Sequence, residues 1–211
     1  MPPARRNDPK VPATASDHPP DWKFGFPIYH PADLAAWRAW LAANCDTTAG
    51  VWVATWRKPS GRDPVPYSDL VEEAICFGWI DSTVNTLDDD RSLQLMTPRK
   101  PKSGWTRLNR QRVAALEAQG RMTDSGRRAV KAAQANGWWT IYDPVEDLLE
   151  PDDLAGALNA SPAARTAWNG FPPSARKQML WWVISSAKSE TRASRIAKIV
   201  SEAAAGRRAQ G

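Results

Sequence analysis

The spacing of apolar positions changes several times along the chain. From Pro31 it is helical, with Leu34, Trp37 and Leu41 on one face. Pro31 suits the first position of that helix, where a missing N–H costs nothing, and the helix ends near Asn44. After Gly50 the run Val51–Arg57 alternates, with Val51 and Val53 against Trp52, Ala54 and Trp56, which predicts a strand. The turn-rich segment Pro59–Pro66 leads to a helix capped by Ser68, with Asp69 in its first turn and Gly78 at its end. From Trp79 the period becomes two. Trp79, Asp81, Thr83 and Asn85 share one face, and Ile80, Ser82 and Val84 share the other. Asp88, Asp89 and Asp90 suit a hairpin turn, and Ser92–Thr97 returns with Leu93 and Leu95 opposite Gln94 and Met96. With Val51–Arg57 this makes a three-stranded antiparallel sheet.

Beyond Pro101 the pattern is helical. One helix is expected over Thr106–Gln119, closed by Gly120, and another over Asp124–Asn136, opened by Thr123 and stopped by Gly137. An acidic stretch from Asp143 to Asp153, with six acids, is the best domain boundary. Three or four further helices follow, about Pro151–Asn159, Pro162–Asn169, Pro173–Ala187 and Glu190–Ala205, the last with Ile196, Ile199, Val200 and Ala203 as its apolar stripe. The expected fold class is α+β, mostly α: a small three-stranded antiparallel sheet wrapped by helices, then a C-terminal helical bundle. The expected divisions are a disordered Pro-rich tail over 1–25, an α+β domain over 26–142 and a helical region over 143–211. The tail holds six prolines and almost no aliphatic residues, so it cannot bury enough apolar surface to offset its ordering entropy.

Composition alters this picture in two places. Twelve tryptophans are several times the usual number for 211 residues. Charge is also segregated: Arg99–Lys131 has ten Lys/Arg against two acids, a net of +8, whereas Ser60–Asp90 has one Arg against eight acids, a net of −7. The modest overall +5 thus hides a localised anion-attracting face. Cys45 and Cys76 lie on apolar helical faces and read as packing residues, and with only His18 and His30 besides, no group has metal-ligand spacing. No metal and no cofactor are expected. No apolar run approaches the ~20 residues that span a bilayer, and no signal-peptide core is visible, so a cytoplasmic location without membrane insertion is the expectation.

Candidate chemistry gathers between Phe77 and Arg112. If Ile80, Val84, Leu93 and Leu95 face a helical core, the opposite sheet face carries Trp79, Asp81, Gln94 and Met96, with Trp52 and Trp56 as further candidates for it: an aromatic surface holding one carboxylate. The competing reading buries the tryptophans in the core and pairs Asp81 with an arginine. The loop Thr97–Trp105 is basic and stiffened by proline, and it opens a helix whose N-terminus beside Arg99, Lys102 and Arg107 would attract a carboxylate or phosphate. Catalytic signatures are otherwise absent; Asp81 or Glu72 would serve as acid or base if desolvated. Basic residues interleaved with tryptophan also admit nucleic-acid binding through segment 99–131.

Three strings, EEAICFGWIDS, TPRKPKSGWTRLNR and SSAKSETRASRIAKIV, resemble the bacterial YdeI/OmpD-associated (OmdA, bacteriocin-protection) family over about Ile28 to Gly206. The resemblance implies association with protection against bacteriocins or antimicrobial peptides and no established reaction. Ser82 stands where the family commonly has glycine. Family-signature positions include Gly78, Trp79, Asp81, Arg99, Ser103, Trp105, Asn109, Lys188, Thr191, Arg192 and Arg195. The resulting expectation is a binding or protection protein that holds a small molecule or peptide by an anionic group. Trp79 and Trp105 would stack on it, Arg99 would engage the anion, Asp81 would orient Arg99 or accept a donor, and Ser103 and Asn109 would add hydrogen bonds. An enzyme using Asp81, a nucleic-acid binder and a homo-oligomer stay open as alternatives.

Overall fold

The computed structural model describes residues 25–209, so the expected tail falls outside the described residues except for Gly25, as does His18. The chain divides into two compact units, the first ending at Trp139 and the second beginning at Thr140.

The first unit runs β1 (Ile28–Tyr29), α1 (Leu34–Asn44), β2 (Val51–Trp56), α2 (Tyr67–Cys76), β3 (Trp79–Thr86), β4 (Arg91–Pro98), α3 (Arg107–Ala118) and α4 (Asp124–Ala135). Local chemistry sets the helix starts. Asp33 caps α1 by accepting from the Ala36 amide at 2.7 Å, so the helix begins three residues after Pro31. Thr106 and Thr123 cap α3 and α4 by accepting from Asn109 and Gly126. Ser68 is not a cap: Pro66 starts α2, and the Ser68 hydroxyl donates to Asp69.

The sheet has four strands rather than three, in the order β1-β2-β4-β3. Strands β2, β4 and β3 are antiparallel as expected, whereas β1 adds a parallel edge, Ile28 opposite Trp52 and Tyr29 opposite Val53. Two residues are too few to show an alternation.

The sheet faces are inverted relative to the sequence expectation. Trp79, Met96, Val51 and Val53 pack into the helix-covered core with Trp37, Leu41, Leu70 and Ile75. The other face forms a smaller cluster of Ile28, Trp52, Ala54 and Leu93, with Phe26, Leu87 and Leu95 against it. Alternation says which residues share a face, not which face meets the helices. Val84 was expected in the core and is 67% exposed. A bulge precedes it: Asp81 is opposite Met96 and Val84 opposite Gln94, so β3 holds one extra residue there. Val84 thus shares the face of Gln94 and Met96 rather than that of Ile80, in a stretch, 82–84, where the strand is exposed on both sides.

Strand β3 follows α2 through Gly78, whose φ of +76° favours glycine, and the Thr123 hydroxyl ties the start of α4 to the Cys76 carbonyl at 2.7 Å. At Gly126 a Cβ would lie 2.2 Å from that carbonyl, so α4 lies against the end of α2 only because the residue is glycine.

The second unit contains α5 (Asp143–Glu146), α6 (Asp152–Asn159), α7 (Pro162–Gly170), α8 (Pro173–Ile184) and α9 (Ser189–Ala204). Residues 151–160 and 161–170 repeat the same burial sequence, with Leu154 and Leu158 recurring as Ala164 and Trp168. Helix α8 repeats the spacing one residue later, as Ala175 and Met179. These faces close on Ile196, Ile199 and Ala203 of α9. The acidic stretch is not a loose linker: Glu150 accepts from Arg165 at 2.8 and 2.9 Å and from the Trp168 indole at 2.7 Å. Among the described residues no helix is long and apolar enough to cross a membrane.

Candidate functional site

An open cleft of about 540 Å³ in the first unit is lined by the 45–49 turn, Phe77–Trp79, Pro98 and Arg99, and Ser125, Arg128 and Ala129 of α4. It brings together two of the expected site residues, Trp79 and Arg99, and adds Arg128 and Asp46, which sequence reasoning did not single out. Arg128 and Asp46 come from α4 and the turn after α1, and they approach to 3.5 Å.

Backbone pairing sets the position of Arg99. Its amide donates to the Gly78 carbonyl at 2.9 Å, extending the β3–β4 pairing by one bond, and Nη1 donates to the Gly104 carbonyl at 3.1 Å. The guanidinium lies 3.6 Å over the Trp105 ring. Trp105 itself is 1% exposed and rests against Trp139 at 5.1 Å. It supports Arg99 from below and offers no face to a ligand.

Trp79 is equally buried, its indole N–H donating to the Cys45 carbonyl at 3.3 Å, with Trp40 edge-on at 5.9 Å. Trp40 stacks in turn on Trp37 and Tyr29. The tryptophan surplus of the first unit therefore serves largely as core, which is the competing sequence reading.

The remaining expected residues lie elsewhere. Asp81 accepts a hydrogen bond from the Tyr67 hydroxyl rather than from Arg99. Ser103 closes its own turn, its Oγ accepting from the Lys100 amide. Asn109 accepts from Arg112 at 3.1 Å, within α3. Neither Glu72 nor Asp81 is among the buried residues; Glu73 is, at 3% exposure, accepting from Arg38 at 2.5 Å and Arg121 at 2.6 Å. Its partners lie 35 and 48 residues away, so no local motif could have marked it.

Residues 148–206 match the family model described as Bacteriocin-protection, YdeI or OmpD-Associated. The C-terminal unit carries an OmdA region. Residues 29–129 match a different model, described as a domain of unknown function (DUF8412). The resemblance first read over 28–206 is thus found on the C-terminal part, and the FGWIDS and TPRKPKSGW strings fall within the other match. No curated protein and no solved structure matches the chain.

Within the OmdA region the signature residues divide by task. Arg192 joins α9 to α6 through Asp153, at 2.6 and 2.9 Å, and its guanidinium holds that carboxyl below the usual range. Arg195 reaches back to the end of α8, donating from Nη1 to the Trp182 carbonyl and to Ser186. Lys188 and Thr191 are exposed.

Proposed function

We propose that the protein is a bacterial cytoplasmic binding protein of the bacteriocin-protection type, holding a small molecule or peptide by an anionic group at the cleft beside Arg99. The observation that carries this reading is the meeting of Arg99 and Arg128 on one open cleft that contains a single carboxylate, Asp46. Two guanidinium groups against one acid favour an anion, and the bed of Trp105 and the Gly104 carbonyl fixes the orientation of Arg99. The protective role is supported by the description attached to the family matched over residues 148–206.

The enzyme and nucleic-acid readings receive less support. The Asp81 carboxylate is engaged by Tyr67. In the basic segment, Arg121 is taken up by Glu72 and Glu73, and Arg127 by Glu117 and Asp124.

The test is a challenge of sensitive cells with a panel of bacteriocins. Cells expressing the wild type should survive at least one of them. The double variant Arg99→Gln/Arg128→Gln, present at equal soluble level and with an unchanged far-ultraviolet spectrum, should not protect. Equal protection by that variant would remove the cleft from the reading, and failure of the wild type across the panel would remove the protective role.

A further inference from the structure

The second unit has a cavity of its own, about 570 Å³, between α8, α9 and the residues that follow α9. Its polar lining comes from Gln178, Ser185, Arg195 and Arg208, and its aromatic wall from Trp181 and Trp182. The lining contains two arginines and no carboxylate. The volume is of the order of that which encloses a small organic molecule, roughly 300–1,000 Å³.

Arg195 is prepared for a ligand. Its Nη1 alone makes its hydrogen bonds within the described residues, to the Trp182 carbonyl and to Ser185 and Ser186, and this locks the side chain in place. The Nε and Nη2 donors remain, and they form the edge of the guanidinium that matches two oxygens of a carboxylate or phosphate. The same guanidinium stands 5.3 Å from the Trp182 ring centre, with Lys198 Nζ at 5.4 Å, so positive charge and an indole surface meet at one wall. Trp181 is held in turn by Tyr142 at 4.4 Å.

We infer that this cavity is a second binding site, for an aromatic molecule bearing a carboxylate or phosphate. Arg195 takes the oxyanion through Nε and Nη2, Arg208 adds a second cation at the rim, and the aromatic body lies along Trp181 and Trp182. The site uses none of the residues of the cleft in the first unit.

Titration calorimetry on the full chain tests it with three probes: indole-3-acetate, 1-naphthyl phosphate and the neutral indole-3-acetamide. At least one of the two anions should bind saturably in the submillimolar range, with roughly tenfold or greater preference over the amide, as expected for charge-assisted hydrogen bonds. Whichever anion binds more tightly distinguishes carboxylate from phosphate as the preferred group. Arg195→Gln should weaken that anion by about tenfold or more, and Arg208→Gln, at an exposed position, by a smaller factor. Arg99→Gln/Arg128→Gln should leave it unchanged, which separates this site from the cleft. The inference is overturned if neither anion binds, if amide and anion bind alike, or if Arg195→Gln binds like the wild type. Should Arg195→Gln not fold, an unaltered affinity in Arg208→Gln overturns it instead.

Discussion

The Tyr67 hydroxyl donates its hydrogen bond to the Asp81 carboxylate, joining the first turn of α2 to β3 just before its bulge. Partial burial and the adjacent carboxylate push the phenol up to about 12. Asp81→Asn removes the charge that disfavours the phenolate while keeping an acceptor, so the Tyr67 pKa should fall toward 10. Ultraviolet titration at 295 nm, with Tyr67→Phe identifying the transition, checks this. An Asp81→Asn titration superimposable on the wild type would show that the carboxylate does not control the phenol.

Glu73 gives a stability prediction. Its carboxylate is buried, whereas Arg38 and Arg121 are 38% and 30% exposed at their side chains. Removing one arginine leaves the other in place and should cost about 1 kcal/mol. Removing both, as Arg38→Met/Arg121→Met, strands a buried charge and should cost about 3–5 kcal/mol, well beyond the sum. Urea unfolding of the singles and the double measures the difference; additive costs would mean that Glu73 is hydrated.

His30 makes the fold sensitive to acid. Its ring meets Trp56 edge-on at 4.6 Å, and burial, with Arg91 and Arg62 nearby and Asp88 opposing them, lowers its pKa to about 4. The unfolded chain takes up that proton near pH 6.5 and the folded chain only near 4, so stability is complete above about 6.5 and declines as pH falls toward 4. After discounting for water around a partly exposed ring, the loss attributable to His30 is about 1–2 kcal/mol. His30→Asn should remove that part of the slope in unfolding free energies compared at pH 7 and 4.5. An unchanged slope would place the acid sensitivity elsewhere.

Two glycines should respond in opposite directions to the same substitution. Gly126→Ala places a Cβ 2.2 Å from the Cys76 carbonyl, a backbone atom that cannot swing away, and should cost at least ~2–3 kcal/mol or prevent folding of the first unit. Gly156→Ala, inside α6 with nothing within 4 Å, should stabilise by about 0.5–1 kcal/mol. Thermal unfolding followed by circular dichroism distinguishes them.

The helices were legible because their ends carry their own chemistry. Thr106 and Thr123 cap α3 and α4, and Gly120 and Gly137 follow them in positive-φ conformations, so the expected boundaries fall within a residue or two of those found. The sheet was legible as pairing and opaque as orientation. Trp79 and Asp81 share a face, yet only the helices above decide that this face is core, and alternation alone could not show that a bulge brings Val84 onto the same side, in a stretch where the strand is exposed. At the candidate site, Arg99 was found from its basic loop, but Arg128 belongs to a helix 29 residues later and reaches the same cleft through the Gly78–Gly126 contact region. The ten-residue recurrence of α6 and α7 was hidden because Leu154 in one becomes Ala164 in the other and only burial repeats.

Both cysteines belong to the first unit, Cys45 part-exposed at the rim of the cleft and Cys76 fully enclosed where α2 meets α4. Burial raises both thiols above their ordinary range, which keeps them protonated and slow to react while the unit is closed. A thiol reagent therefore acts as a clock for the first unit alone. Cys45 reports fluctuations at the mouth of the cleft and Cys76 the parting of two helices, while the OmdA region stays silent in that channel.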